Sequence, residues 1–172
     1  MTNNIALGLL IIRLAMTQGL DQYQVPFTNA ILSSTFESNT ADRAIDGDLQ
    51  TYAHSECNDQ GKEMWLKLRL KWPAWINHFV IYPTHVDANA YTRFQGARVY
   101  VEDHSGVEVL CGTLALDVVS SSHTIKCSGS VDNFVEVVMI RLQKASYMCI
   151  QMKEIKAFGD YRKYYYYSIK YA

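Results

Sequence analysis

The chain has 172 residues, enough for one domain that buries a core, with short ends. Hydrophobic residues make up 49% and charged residues 19%, the balance of a globular protein rather than a disordered one. A formal net charge of −1, with no basic stripe carrying interleaved aromatics, leaves no electrostatic basis for binding nucleic acid or an anionic membrane.

The chain opens with an apolar run, Ile5 to Met16, of signal-peptide length and too short to cross a bilayer comfortably. Thr17-Gln18-Gly19 offers small residues for cleavage after Gly19. Arg13 interrupts the run and no Lys or Arg precedes it, so a buried N-terminal helix is the alternative. The expected organisation is a signal peptide over 1–19, a linker over 20–25, one domain over 26–159 and a tyrosine-rich tail over 160–172. No second long apolar run follows, and no membrane span is expected.

Phe27 to Phe36 reads as an opening strand. The stretch Ala44 to Cys57 is a bend: Gly47 supplies positive φ, and Asp46 and Asp48 can bond back to nearby backbone N–H groups. Two carboxylates on a bend also suit a hard cation such as calcium. In Trp65 to Leu70, Leu66, Leu68 and Leu70 fall on one face and Trp65, Lys67 and Arg69 on the other, a half-buried strand. Lys71-Trp72-Pro73-Ala74 is expected to break it, and Ile76 to Tyr82 to form a second strand ended by Pro83. Thr84 to Thr92 is polar and irregular, an expected loop. Further strands are expected over Gly96 to Glu102, Val107 to Leu110, His123 to Cys127, Phe134 to Leu142 and Ile150 to Phe158, the last ending at Gly159. Short strands with turns and no helical periodicity predict an all-β sandwich or jelly roll.

Trp65, Trp72 and Trp75 read as core or sheet-edge packing. The tail from Tyr161 holds half of the 12 tyrosines and reads as an extended or added edge strand. Four cysteines, Cys57, Cys111, Cys127 and Cys149, behind a signal peptide predict two disulfides in an oxidising compartment, with three pairings open. No Cys-x-x-Cys spacing supports zinc. No Gly-x-Ser-x-Gly, His-Glu-x-x-His or phosphate-binding loop is present, and no enzyme is expected.

Taken in order, the Ala44-Ile45-Asp46-Gly47-Asp48 bend, Thr51-Tyr52, Cys57, the Trp65 strand, Gly96-Ala97-Arg98-Val99, then Cys111, Cys127 and Cys149 resemble the F-type lectins. These are the fucolectin and tachylectin-4-like proteins within the discoidin, or coagulation-factor type C, superfamily. The resemblance covers roughly Pro26 to Gly159. It implies an eight-stranded jelly-roll β-sandwich, secretion, and the pairings Cys57–Cys149 and Cys111–Cys127. It also implies fucose binding between loops at one end of the sandwich, by a His after the first cysteine and an Arg-x-Asp-x4-Arg/Lys motif.

Here that motif is degenerate. Asp59 stands where the family has the His, and His85 replaces the first Arg. Asp87 is followed by five residues and then Arg93, one residue more than the motif, and the adjacent-cysteine pair often found in this loop is absent. His54 is a candidate substitute for the missing His; its plainer reading is a satisfied, partly buried residue packed in the loop. The carbohydrate-binding candidates are therefore His54, Asp59, His85, Asp87 and Arg93; the plainer reading of the last three is a solvated loop with a local Asp–Arg pair. The family also implies a structural calcium held around Arg43, Asp46, Asp48, Glu56 and Cys149, although its acid after the last cysteine is Ile150 here. An Asx turn without metal is the alternative for the bend. The expected function is a secreted, fucolectin-like carbohydrate-binding domain whose partner is a fucosylated glycan or cell-surface glycoprotein, with assembly as a homo-oligomer left open. The alternative is a discoidin-like adhesion or protein-interaction module that has lost sugar binding.

Overall fold

The computed structural model describes residues 23–57, 61–84, 89–115, 120–127, 134–143 and 147–161. The expected signal peptide and all but the first two residues of the expected tail lie outside them. Among the described residues there are nine strands, where the resemblance implied eight: β1 (Tyr23–Val25), β2 (Phe27–Leu32), β3 (Ala53–His54), β4 (Met64–Pro83), β5 (Arg98–Asp103), β6 (Glu108–Thr113), β7 (His123–Lys126), β8 (Val135–Leu142) and β9 (Gln151–Asp160). One α-helical turn, α1 (Ala90–Phe94), and a 3-10 turn, Ala41–Ala44, complete them. No helix among the described residues is long and apolar enough to cross a membrane.

All pairings are antiparallel and resolve into two sheets that share β4. Its first half, Met64 to Arg69, pairs with β8 and lies beside β2. Its second half, Trp75 to Pro83, pairs with β9, and His78 to Ile81 also pair with β7. The first sheet runs on from β8 to β5 and β6. On the second, β1 and β3 pair with opposite ends of β9.

The expected break at Lys71 to Ala74 is therefore not an interruption of the strand. It is the segment where one strand changes partners, and a register shift falls between Arg69 and Ala74. A proline is tolerated there because the ladder is changing hands at that point. Tyr23 to Val25, expected as linker, pairs with Ala157 to Gly159 and becomes β1. Gly159, expected to end the last strand, lies inside β9, where a Cβ would run into the carbonyl oxygen of Trp75. That close approach is what glycine allows.

Alternation along the strands builds one core between the sheets. Leu66, Leu68 and Leu70 from β4, Val99 and Val101 from β5 and Ile140 and Leu142 from β8 meet Phe79, Ile81, Met152, Ile155 and Ala157 in a single buried cluster. Burying such side chains contributes about 1.5–3 kcal/mol each. The half-buried tryptophans pack as expected. Trp72 lies against Tyr161, which also meets Tyr23, and Trp75 packs edge-on to Phe134.

Both disulfides follow the pairing that the resemblance implied, Cys57–Cys149 and Cys111–Cys127. The second joins β6, at the edge of one sheet, to the residue after β7, at the edge of the other. Gly112 sits at this seam, where a Cβ would come within 2.8 Å of the Ile125 Cγ2 methyl.

Candidate functional site

The Asp-Gly bend is built from its own side chains. Asp46 Oδ1 accepts from the Asp48 N–H (2.8 Å) and its Oδ2 from the Thr51 hydroxyl (2.7 Å). Asp48 Oδ1 accepts from the Gln50 N–H (2.8 Å). Gly47, at φ 80°, donates its N–H to Glu154 Oε2 of β9 at 3.0 Å. Glu154 is buried, and this burial pushes its carboxyl above the ordinary range. The Gly47 N–H opposes that shift and the nearby Asp46 charge adds to it. The bend is thereby tied to the last strand.

The chain then enters β3. His54 donates its backbone N–H to the Asn39 carbonyl (3.0 Å), and Phe36 donates to the His54 carbonyl (2.9 Å). The His54 ring is buried. Its Nε2 lies 2.7 Å from Gln151 Nε2 and 3.6 Å from Cys57 Sγ, one ring nitrogen and one amide sharing donor and acceptor roles. Phe36 packs on the ring with centroids 4.8 Å apart. The structure thus places the His54 ring behind the disulfide, buried, in line with its plainer reading as a packed residue.

Ser55 is fully buried and sets the register between the two strands of chain that carry the disulfide. Its N–H donates to the Ile150 carbonyl (3.0 Å) and its Oγ accepts from the Ile150 N–H (2.9 Å). Cys57–Cys149 follows at once. Two residues before Cys149, the Tyr147 ring is 56% exposed, and the Arg93 guanidinium lies over it at 5.5 Å from the ring centroid. Arg93 is aimed by α1, a helix inside the expected loop over Thr84 to Thr92 and beyond. Buried Ala90 and Phe94 anchor that turn, and Asn89 caps it by accepting from the Thr92 hydroxyl (2.8 Å) and the Arg93 N–H (3.1 Å).

One end of the sandwich therefore presents a half-buried cation, an exposed aromatic ring and a disulfide, backed by His54 and Gln151. Arg93 was expected here. Tyr147, Gln151 and Glu154 were not. The one signal for Tyr147 was an aromatic residue close to a cysteine outside any strand pattern. Asp59, His85 and Asp87 lie outside the described residues.

Calcium takes about six or more oxygen ligands. Both Asp46 oxygens are engaged within the bend, Asp48 holds Gln50, and Arg43 donates to Asn39 Oδ1 at 2.7 Å. The Glu56 N–H donates to Ser34 Oγ (3.1 Å), and Ile150, where the resemblance implied an acid, is fully buried. Among the described residues, the group of ligand-type side chains with donor atoms within 4.8 Å of one another is His54, Cys57 and Cys149, and its sulfurs form the disulfide. These side chains do not by themselves supply the six or so oxygens that a calcium ion takes.

No protein-family model matches the chain, and no curated protein matches it in sequence. Solved structures match it in shape. A mutant of the lectin binding domain of lectinolysin, complexed with Lewis b, superposes with a TM-score of 0.66 at 16% identity, over 79% of this chain and 94% of that one. A fucolectin from the serum of striped bass (Morone saxatilis) gives 0.63 at 19% identity, over 77% of this chain and 45% of that one, so this chain spans under half of that protein's length. The family 32 carbohydrate-binding module of C. perfringens NanJ, in complex with galactose, gives 0.61 at 18% identity, over 80% of this chain and 98% of that one. These likenesses establish the fold, an all-β sandwich of the F-type lectin and discoidin-like kind.

Proposed function

We propose that this domain, a jelly-roll module of the discoidin-like kind, binds a glycan and catalyses no reaction. The observation that carries the reading is the Arg93 guanidinium held over the exposed Tyr147 ring, two residues before Cys149 in the Cys57–Cys149 disulfide. A guanidinium donates to ring and hydroxyl oxygens in a fixed fork, an exposed aromatic face covers sugar C–H groups, and a disulfide offers a small apolar surface. Arg93 is already positioned by the ring and by α1, which lowers the ordering cost of binding. In this proposal Asp59, His85 and Asp87 remain candidate polar contacts to the sugar. Four paired cysteines support an oxidising, extracellular setting and a fucosylated glycan or surface glycoprotein as partner. Association of several copies would add avidity.

The withdrawal of His54 from the surface favours a second reading, an adhesion or protein-interaction module that kept the fold and lost the fucose motif. Glycan-array binding of the oxidised chain, with calcium and again with chelator, separates the two. The lectin reading expects discrete hits, on fucose-terminated or other sugars, that Arg93→Ala weakens about 10- to 100-fold, the worth of charged hydrogen bonds. A folded protein with no hits in either buffer overturns it in favour of the protein-binding reading.

A further inference from the structure

A second polar pocket, whose lining includes neither Arg93 nor Tyr147, lies on the outer face of the β4–β8–β5 sheet. Val99 and Val101 point into the core, so their neighbours Arg98 and Tyr100 point out. Arg98 stands directly opposite Arg141 in the β5–β8 register. Like charges opposed across antiparallel strands disfavour the pairing, so their presence calls for a physical reason. Arg141 is neutralised: it lies 2.6 Å from Glu108 Oε1 and its guanidinium sits over the Tyr100 ring at 5.2 Å. The Arg98 side chain is exposed and makes no ion pair or hydrogen bond among the described residues. Glu63, also exposed, makes none either.

Arg98 and Glu63 nevertheless line the same open pocket of ≈ 120 Å³, with Gly96, Tyr100, Arg141 and Gln143. Gln143 is anchored by its amide nitrogen, which donates to the Gly61 carbonyl at 3.3 Å, and this leaves its amide oxygen as an acceptor. The pocket thus holds a donor and an acceptor of opposite charge that do not satisfy each other, beside an aromatic ring. A ligand that fills the gap must accept from one and donate to the other. Adjacent sugar hydroxyls do both, because each hydroxyl is donor and acceptor. A sulfate or carboxylate would meet Arg98 but also the Glu63 charge.

We infer that this pocket is a second glycan subsite, for the vicinal diol of a neutral sugar ring. One hydroxyl oxygen accepts from Arg98, its neighbour donates to Glu63, and the ring edge meets Tyr100. The inference rests on the glycan-binding reading for its ligand class and uses none of the Arg93 site residues. Two subsites on one domain would let a branched glycan bind bivalently.

The test is amide NMR of the full oxidised chain, titrated in turn with L-fucose, D-galactose and D-galactose 6-sulfate. The expected result is that a neutral sugar shifts Gly96, Arg98 and Gln143, with affinity reduced about 10- to 100-fold by Arg98→Ala and by Glu63→Ala and unchanged by Arg93→Ala. Shifts around Arg93 and Tyr147 alone overturn the second subsite and leave the first reading standing. Response of this pocket to the sulfated sugar alone overturns the diol assignment. Silence in both regions overturns this subsite, while the first reading stands or falls by the glycan array.

Discussion

Removing the Ser55 hydroxyl measures how the site is held. Ser55 and Ile150 are both fully buried, and Ser55 Oγ accepts from the Ile150 N–H at 2.9 Å. Ser55→Ala leaves that N–H without its partner, a cost of about 1–3 kcal/mol. The hydroxyl also donates to the Glu56 carbonyl at 3.2 Å, but Glu56 is exposed and water replaces that bond. The expected loss is therefore about 2 kcal/mol, or a fall in Tm of about 4–8 °C for a domain of this size. Guanidinium unfolding of the oxidised protein, followed by tryptophan fluorescence, reads it directly. Thr28→Ala serves as the control, since Thr28 is exposed and its hydroxyl reaches only 3.5 Å to the Arg69 carbonyl. A Ser55→Ala loss no larger than that of Thr28→Ala would refute the claim that this bond registers the two arms of the disulfide.

Other consequences concern the bend, the disulfides and metal. The Glu154 carboxyl is raised by burial, so the folded state holds its proton more tightly than the unfolded chain. That contribution to stability is fully present below the unfolded value and is lost as pH rises through the folded one. Glu154→Gln, which keeps an acceptor for the Gly47 N–H, should flatten the fall in stability above pH ~4.5; an unchanged pH profile in urea unfolding argues against the assignment. Cys57–Cys149 spans 92 residues and Cys111–Cys127 spans 16. Replacing the first pair by alanine should cost about 4–5 kcal/mol and the second about 3, so a larger loss from the shorter loop would contradict the loop-entropy account. Because the bend satisfies its own carboxylates, chelation should move Tm by less than about 1 °C, whereas a rise of several degrees with added calcium would show that backbone oxygens complete a site after all.

Much of the fold was legible because alternation is a local signal. Leu66, Leu68 and Leu70, or Val99 and Val101, declare a buried face without reference to any other part of the chain. The Lys71 to Ala74 segment misled because a proline and a broken pattern look the same at a strand end and at a strand passing between sheets. Tyr23 to Val25 is too short to carry a period, and it is a strand only because β9 offers it an edge. In the site, Arg93 was visible through the resemblance, and His54 was open to two readings, a packed residue or a sugar ligand, of which the structure shows the packing. Burial of a histidine depends on Phe36, Gln151 and the disulfide closing over it, and no local pattern encodes those contacts.

By itself, then, the sequence determined an all-β chain, its Asp-Gly bend and its inward-facing strand residues, since each depends on a few neighbouring residues and the chain's own stereochemistry. The tertiary structure alone decided that Tyr147 meets Arg93, that Glu154 ties the bend to β9, and that Arg98 and Glu63 share a pocket without pairing. Each of those contacts joins residues far apart in sequence, and only the packing of the two sheets sets the distance between them.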